Sequence, residues 1–227
     1  MFLCRNVGYG NKKMYKVDQK ELYETVYQKI KEMIINNEFI SGQKLHQQQL
    51  ADRFGVSRTP LALAFSKLEK EMLIEIIPRR GAFVRSFSRR EFEDLYALRL
   101  RLEPLGAAEA AARGTEQNLK DLQNYLDIFE KTIKKNSTGP IRKADYHFHM
   151  AIMWMSQNDF LFQVMSSFNI LIIANMRGLL KDPHKSLVEH KKIFDAVRRH
   201  DGKTAEKLMY YHIHDAMKQL KELNLDE

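Results

Sequence analysis

The sequence is poor in cysteine, since Cys4 is the only one among its 227 residues. A lone cysteine cannot form a disulfide within the chain, and this usage is typical of proteins in a reducing compartment. The amino terminus also lacks the apolar segment of a secretory signal. We therefore expect a cytoplasmic protein.

Long hydrophobic runs are absent as well. The most apolar stretch, residues 168–180, is interrupted by Asn169, Asn175 and Arg177. It is also shorter than the roughly 20 apolar residues that a membrane-spanning helix needs. We expect this stretch to form a buried helix, and we expect no membrane partner.

Acidic residues are in deficit in the first third of the chain. Residues 1–86 contain 15 Lys+Arg and 9 Asp+Glu, a net charge of +6, whereas the remainder contains 22 and 20, a net charge of +2. A basic segment favours a polyanionic partner through phosphate contacts and counterion release. The alternative is a generally basic protein without such a partner.

The first third shows the pattern of a winged helix-turn-helix. Residues 1–16 have no period and are expected to be a mobile leader. Apolar residues at helical spacing predict a helix that Asp18 caps, and further helices over 46–54 and 57–71. Alternating residues then predict strands over 74–77 and 82–85.

The segment from Gly55 to Pro60 connects the second and third of these helices. A short turn with glycine that leads into a helix is the layout of a DNA-reading element, whose first residues enter the major groove. The third helix buries one apolar stripe, so that its other face is free for DNA. The residues predicted to contact DNA are Ser57, Arg58, Thr59 and Lys67 on this helix, with Arg79 and Arg80 at the tip of the strand hairpin.

From residue 88 onwards the sequence shows only helical periods. Ser88 and Glu91 form a capping box that starts this region, so the domain boundary is placed at residues 86–88. Residues 87–227 then form an all-helical second domain. The predicted helices are 88–113, 116–136, 138–156, 159–181, 183–200 and 202–223.

Seven of the eight histidines lie in this second domain. Asp145 and His149 share one helix face, and His190 and His212 lie at positions that can face the same interior. Three imidazoles and a carboxylate suit Zn²⁺, Ni²⁺, Mn²⁺ or Fe²⁺. On spacing alone, the alternative is that these histidines are ordinary surface or core residues.

Arg99 is a second candidate. An arginine in a bundle interior needs an anion, because an unpaired buried charge is costly. Arg99 and Arg101 are alternatively solvated, or one of them pairs with Glu103 on the same helix.

The residues resemble those of a known family. The run from Leu45 to Pro60 is similar to the signature of GntR transcription regulators, and residues 81–84 resemble the second strand of their wing. The second domain resembles the FadR-type effector domain called FCD. Its matching pieces are residues 99–103, Asp145-x-x-Phe148-His149, Asn158 followed by Leu161, Glu189-His190, and 205–212.

This resemblance implies a fold and a set of ligands. The fold is mainly α, with an amino-terminal winged helix-turn-helix and a carboxy-terminal antiparallel bundle of six or seven helices that binds effector and dimerises. Members are homodimers on palindromic DNA operators. A divalent metal, Zn²⁺ or Ni²⁺ before Mn²⁺ or Fe²⁺, is expected at Asp145, His149, His190 and His212. A small carboxylate effector is expected there, with Arg99 and Asn175 as its partners.

The resemblance also adds DNA contacts and reveals departures. Gly81 keeps the pattern of the wing, and Gln48 stands where the family has a basic residue. Ala62 replaces an arginine of the recognition helix, and a bidentate arginine–guanine contact contributes about 1–3 kcal/mol of discrimination. We expect an operator that differs from those of relatives.

The expected function is that of a transcriptional repressor whose operator binding is controlled by a small carboxylate metabolite at the metal site. One alternative is a regulator with a metal-free pocket for an acyl ligand. Another is a metal-dependent enzyme with Glu189 or His147 as base. An enzyme would not need a DNA-reading module, so we predict that the chain is not an enzyme.

Overall fold

The computed structural model describes residues 19–136, 138–176 and 181–222. The predicted leader over residues 1–16 and the predicted cap Asp18 lie outside these ranges. Within them the protein is mainly helical, as predicted, with one small sheet. No helix of the described ranges is long and apolar enough to cross a membrane.

Within its described residues, from 19 onwards, the amino-terminal domain contains three helices and three short strands. They are α1 (Gln19–Ile35), β1 (Lys44–Leu45), α2 (Gln47–Phe54), α3 (Arg58–Lys70), β2 (Ile74–Ile77) and β3 (Gly81–Val84). The antiparallel sheet has the order β1-β3-β2. The predicted hairpin is confirmed, whereas β1 was missed because two residues show no alternation.

The turn between α2 and α3 depends on Gly55. This residue ends α2 in the left-handed region with φ 65°, a conformation that glycine adopts without steric cost. Its N–H donates to carbonyls of the last turn of α2. Pro60 follows in the first turn of α3, where its missing N–H leaves no helical hydrogen bond broken.

The carboxy-terminal domain contains seven helices within the described residues. Its helices are α4 (Arg89–Arg113), α5 (Glu116–Lys134), α6 (Thr138–Met155), α7 (Asp159–Ser167), α8 (Ile170–Asn175), α9 (Pro183–Arg198) and α10 (Gly202–Glu222). The predicted capping box is present at the start of α4: the Ser88 hydroxyl accepts from the Glu91 N–H, and the Glu91 carboxylate accepts from the Ser88 N–H.

One helix prediction was wrong. A single helix was expected over residues 159–181, but α7 ends at Ser167 and α8 begins at Ile170. Asn169 lies between them with φ 48°, and a left-handed residue cannot continue a right-handed helix. Asparagine is one of the few residues that adopt this conformation readily, so the break has a local cause. Residues 177–180 lie outside the described ranges.

The bundle interior combines a large apolar core with a group of buried polar side chains. Leu122, Phe129, Phe148 and Ile152 are fully buried. Polar residues lie among them on α4, α6, α9 and α10, and six of these matter for the site: Arg99, Glu103, Asp145, His149, His190 and His212. Buried polar groups are costly unless they are paired, so their convergence marks a candidate site.

Candidate functional site

The start of α3 presents the predicted DNA-contacting residues to solvent. Ser57, Arg58 and Thr59 are exposed. The Arg58 guanidinium donates to Gln48 Oε1 through Nε at 2.9 Å and Nη2 at 2.6 Å. Gln48 in turn donates to Asp52 Oδ1 at 2.9 Å. Gln48 therefore holds the arginine on the surface from which it could reach a base or a phosphate.

The wing carries the second group. Arg79 and Arg80 are exposed in the turn between β2 and β3. Gly81 follows with φ 105°, which an L side chain rarely adopts, so glycine is needed to form the turn. The Arg80 guanidinium carbon lies 5.8 Å from the centre of the Phe83 ring.

Lys67 lies elsewhere. It is near the carboxy-terminal end of α3, where its Nζ is 2.9 Å from Glu24 Oε2 and 3.8 Å from the centre of the Tyr27 ring on α1. A DNA phosphate would have to compete with this ion pair. DNA contact by Lys67 therefore remains a prediction without support from its geometry.

The second candidate site is the histidine cluster inside the bundle. Helix α6 supplies Asp145 and His149, α9 supplies His190, and α10 supplies His212. The Nε2 atoms of His190 and His212 are 3.2 Å apart. Asp145 Oδ1 lies 3.8 Å from His190 Nε2 and 3.9 Å from His149 Nε2. The four residues are at most 6% exposed.

Two carboxylates orient two of the rings. Glu103 Oε2 lies in hydrogen-bond contact with His149 Nδ1, and Glu189 Oε2 is 2.6 Å from His212 Nδ1. A proton on each Nδ1 leaves the lone pair on Nε2, the atom that faces the cluster. His149 Nε2 has no hydrogen-bond partner among the described residues.

Each of these carboxylates also forms an ion pair with a buried cation. Arg99 Nε donates to Glu103 Oε1 at 2.5 Å, and Arg99 is only 4% exposed. Lys181 donates to Glu189 and, at 3.3 Å, to the carbonyl oxygen of His212. Arg99 and Lys181 thus neutralise the negative charges of the two carboxylates that contact the histidines.

The pKa values follow from this burial. Burial and the neighbouring His212 and His149 lower the pKa of His190 well below its ordinary value. Burial also lowers the pKa of His212, although Glu189 opposes this effect. Both rings are therefore neutral at physiological pH, which is the protonation state that binds a metal ion.

The cluster fits a divalent metal by the chemistry of its donor atoms. The three imidazoles offer nitrogen atoms that lie within 4.8 Å of one another. Asp145 adds a carboxylate oxygen, and the carboxylate-bound Nδ1 atoms fix two rings in the ligating tautomer. Asp145, His149, His190 and His212 are the residues that would hold the ion.

Arg99 and Asn175 lie differently around this cluster. Of the alternatives open to Arg99, the structure shows the pair with Glu103, so its guanidinium is already engaged. Asn175 donates to Asp145 Oδ2 at 3.3 Å and adjoins the candidate metal ligands directly.

Sequence reasoning did not assign an orienting role to Glu103, Glu189 or Lys181. The four-residue spacing of Arg99 and Glu103 was a usable signal, whereas nothing in the sequence marked Lys181.

Two family models match this chain, and their ranges include both candidate sites. Residues 22–84 match the family described as bacterial regulatory proteins, gntR family, and residues 94–215 match the FCD domain. The chain belongs to the GntR family of transcriptional regulators. Its FCD match covers the whole histidine cluster, and its GntR match covers α2, α3 and the wing.

Relatives extend over most of this GntR regulator. It is 29% identical over 207 residues to the regulator YdhC of Bacillus subtilis, covering 88% of this chain and 91% of the relative. It is 25% identical over 210 residues to the transcriptional repressor RspR of Escherichia coli, covering 89% and 92%. The structure of E. coli McbR/YncC matches with a TM-score of 0.78 and 19% identity, over 88% and 97%, which supports the fold.

The family membership decides between the function classes. The chain is a transcriptional regulator of the GntR type with an FCD domain, and the prediction that it is not an enzyme is confirmed by its relatives. Glu189 already contacts His212 and Lys181, which also argues against a role as a catalytic base.

Proposed function

We propose that this GntR regulator is a cytoplasmic homodimer that represses transcription from a palindromic operator. A small carboxylic acid, bound with a divalent metal ion at Asp145, His149, His190 and His212, controls its DNA binding. The observation that carries this proposal is the convergence of three buried imidazoles on one carboxylate, with the Nδ1 atoms of two imidazoles held by Glu103 and Glu189.

The choice of metal rests on the ligand set. Three neutral nitrogen ligands and one oxygen ligand suit Zn²⁺ or Ni²⁺ best, with Mn²⁺ or Fe²⁺ as further candidates. A metal ion at these four residues could retain a free coordination position, which an acid carboxylate would occupy. Asn175 is close enough to Asp145 to contact such an acid. Arg99 pairs with Glu103 through Nε, and its terminal guanidinium nitrogens are the donors that could contact such an acid.

DNA recognition is assigned to the exposed groups of the amino-terminal domain. Ser57, Arg58 and Thr59 would enter the major groove, with Gln48 orienting Arg58, and the wing residues Arg79, Arg80 and Gly81 would lie along the backbone. Ala62 is exposed on α3 and offers no polar group to DNA. Specificity then depends mainly on the start of the helix.

A metal-free regulator for an acyl ligand is the second candidate. An apolar groove of about 380 Å³ lies between α4, α7 and α8, where Leu95, Leu98, Phe168 and Ile173 line it. Metal analysis distinguishes the two functions, because an acyl regulator would need no ion at the histidine cluster.

The test compares two histidines on the same helix. We expect purified protein to retain one divalent ion per chain, His212→Ala to lose it, and His214→Ala to keep it, because His214 is exposed and lies outside the cluster. Elemental analysis measures the ion. Gel shifts on a palindromic site, with a series of small carboxylic acids, then measure control of DNA binding. Equal metal content in both variants would exclude the metal site, and DNA binding that no acid changes would exclude the switch.

A further inference from the structure

Helix α8 lies between the metal site and the recognition helix. Its residues Ile170 to Ala174 are between 1% and 3% exposed, so most of the helix is buried in the core. At a rise of about 1.5 Å per residue, this six-residue helix is roughly 9 Å long. A buried helix of this length moves as one unit, because a closely packed core resists independent shifts of single side chains.

The first end of α8 contacts the end of the recognition helix. Asn169 Nδ2 donates to the Glu71 carbonyl at 3.1 Å and to Glu71 Oε2 at 2.9 Å, and Glu71 is the carboxy-terminal cap of α3. Glu71 is held in turn by α1, through the Tyr27 hydroxyl at 2.7 Å and Lys31 Nζ at 3.3 Å. The contact therefore joins α8 to both principal helices of the DNA-binding domain.

Asn169 carries local costs that this contact explains. It is 2% exposed, it has φ 48°, and its Oδ1 has no partner within the described ranges. It precedes α8 at the N-cap position, yet its side chain makes no capping hydrogen bond. The amide is directed at Glu71 instead of its own helix. The side chain of this buried residue is therefore committed to the contact between the domains.

The other end of α8 contacts the candidate metal site. Asn175 Nδ2 donates to Asp145 Oδ2 at 3.3 Å, while Asp145 Oδ1 faces His149 and His190. The Asn175 carbonyl also accepts from Arg142 at 3.4 Å. One oxygen of the candidate ligand thus faces the ion position and the other holds the last residue of α8.

We propose that Asn169 and Asn175 are positioning residues through which α8 transmits occupancy of the metal site to the carboxy-terminal end of the recognition helix. This proposal rests on the metal site proposed above. An ion at the cluster would draw Asp145 Oδ1 towards it; Asn175, held by Oδ2, would follow, α8 would shift, and Asn169 would move Glu71 and the end of α3. The two asparagines would then set how strongly metal occupancy and DNA binding are coupled, which is a free energy shared between both sites.

The experiment uses Zn²⁺ alone as the probe and amide hydrogen exchange of the full chain as the readout. In the wild type, Zn²⁺ should slow exchange in residues 170–175 and also in residues 68–77. The expected factor is about 5 or more, the lower end of usual allosteric couplings. In Asn169→Gly, which accepts the left-handed backbone but removes the amide, Zn²⁺ should still bind and slow exchange in 170–175 and leave 68–77 unchanged.

Two further variants complete the test. Asn169→Asp keeps the side-chain volume but replaces the donor with an acceptor, and it should behave as Asn169→Gly does. Asn136→Gly is the matched control, since Asn136 is also left-handed, with φ 50°, but is exposed at the end of α5. It should respond to Zn²⁺ as the wild type does.

The outcomes separate the two proposals. If Zn²⁺ binds but residues 68–77 do not respond in the wild type, or respond in the two Asn169 variants as strongly as in the wild type, transmission through α8 is excluded while the metal site stands. If titration shows no Zn²⁺ binding to the wild type, the proposed metal site fails and this inference fails with it.

Discussion

Glu103 serves two buried partners at once. One of its oxygens accepts from Arg99 and the other contacts His149. Burial raises the pKa of the Glu103 carboxyl, but Arg99 and His149 outweigh this effect and lower it to about 2. The anion that a buried Arg99 requires is therefore part of the protein.

This arrangement predicts the effect of Glu103→Gln. The substitution leaves the Arg99 charge buried without a carboxylate, so the free energy of unfolding should fall by roughly 3 kcal/mol, measured by urea denaturation. Metal affinity should fall about 10- to 100-fold, because the single amide oxygen of glutamine replaces two carboxylate oxygens that Arg99 and His149 now use separately. Glu93→Gln is the matched control: Arg89 and Glu93 have the same spacing on α4 but are about one-third exposed. It should cost under about 0.5 kcal/mol and leave metal affinity unchanged. Equal costs for both variants would contradict a special role of Glu103.

Arg58 and Gln48 form a second pair at this scale. Because Gln48 accepts two hydrogen bonds from Arg58, the two residues should act on DNA as a unit. We expect Arg58→Ala to weaken operator binding by about 1–3 kcal/mol. Adding Gln48→Ala should then cost less than Gln48→Ala alone. Binding isotherms of the four proteins in the cycle measure the coupling. Strictly additive losses would show that Gln48 contacts DNA independently of Arg58.

At the scale of the elements, Ser57 and Ser88 each precede a helix, but only one of them caps its helix. Ser88 caps α4 with its hydroxyl, whereas Ser57 precedes α3 without a capping hydrogen bond from its side chain. The Ser57 hydroxyl is exposed and therefore free to contact DNA.

The two serines should give opposite results when each is replaced by alanine. Ser88→Ala should lower the free energy of unfolding by about 1 kcal/mol and leave DNA affinity unchanged, since the cap of α4 is lost. Ser57→Ala should leave stability almost unchanged and weaken operator binding by about 0.5–1.5 kcal/mol, the contribution of one hydrogen bond. Thermal melts and gel shifts measure the two quantities. A stability loss in Ser57→Ala equal to that in Ser88→Ala would refute this division.

At the scale of the whole molecule, the candidate metal ligands join helices that are distant in sequence. Asp145 and His149 lie on α6, His190 on α9 and His212 on α10, so an ion would connect three helices of one domain. A ligand that binds only the folded state stabilises it by mass action.

A chelator should therefore lower the melting temperature. With Zn²⁺ at about 100 times its dissociation constant, the stabilisation is roughly 2.7 kcal/mol. This corresponds to a shift of about 5–10 °C for domains of this size. Differential scanning calorimetry with and without EDTA measures the shift. The transition that moves should be the unfolding of the carboxy-terminal domain. The double variant Asp145→Ala, His190→Ala should show no response to chelator. A chelator effect of equal size in that variant would place the ion elsewhere.

Much of this architecture follows from the sequence alone because its causes are local. Helical periods, the capping box at Ser88 and the left-handed turn at Gly55 depend on residues that are near one another in the chain. The spacing of Asp145 and His149 likewise places both on one helix face. Single-sequence reasoning failed where the local signal was weak, at the two-residue β1 and at the single left-handed Asn169.

Only the tertiary structure decided which side chains meet across the bundle. The contacts of Glu103 with His149, of Glu189 with His212, and of Asn169 with Glu71 join different parts of the fold, 23 to 98 positions apart in sequence. No period or spacing encodes such contacts, because they depend on how the helices pack. The sequence thus determined the elements, the family and the ligand candidates, whereas packing determined which charges are paired and how the two domains touch.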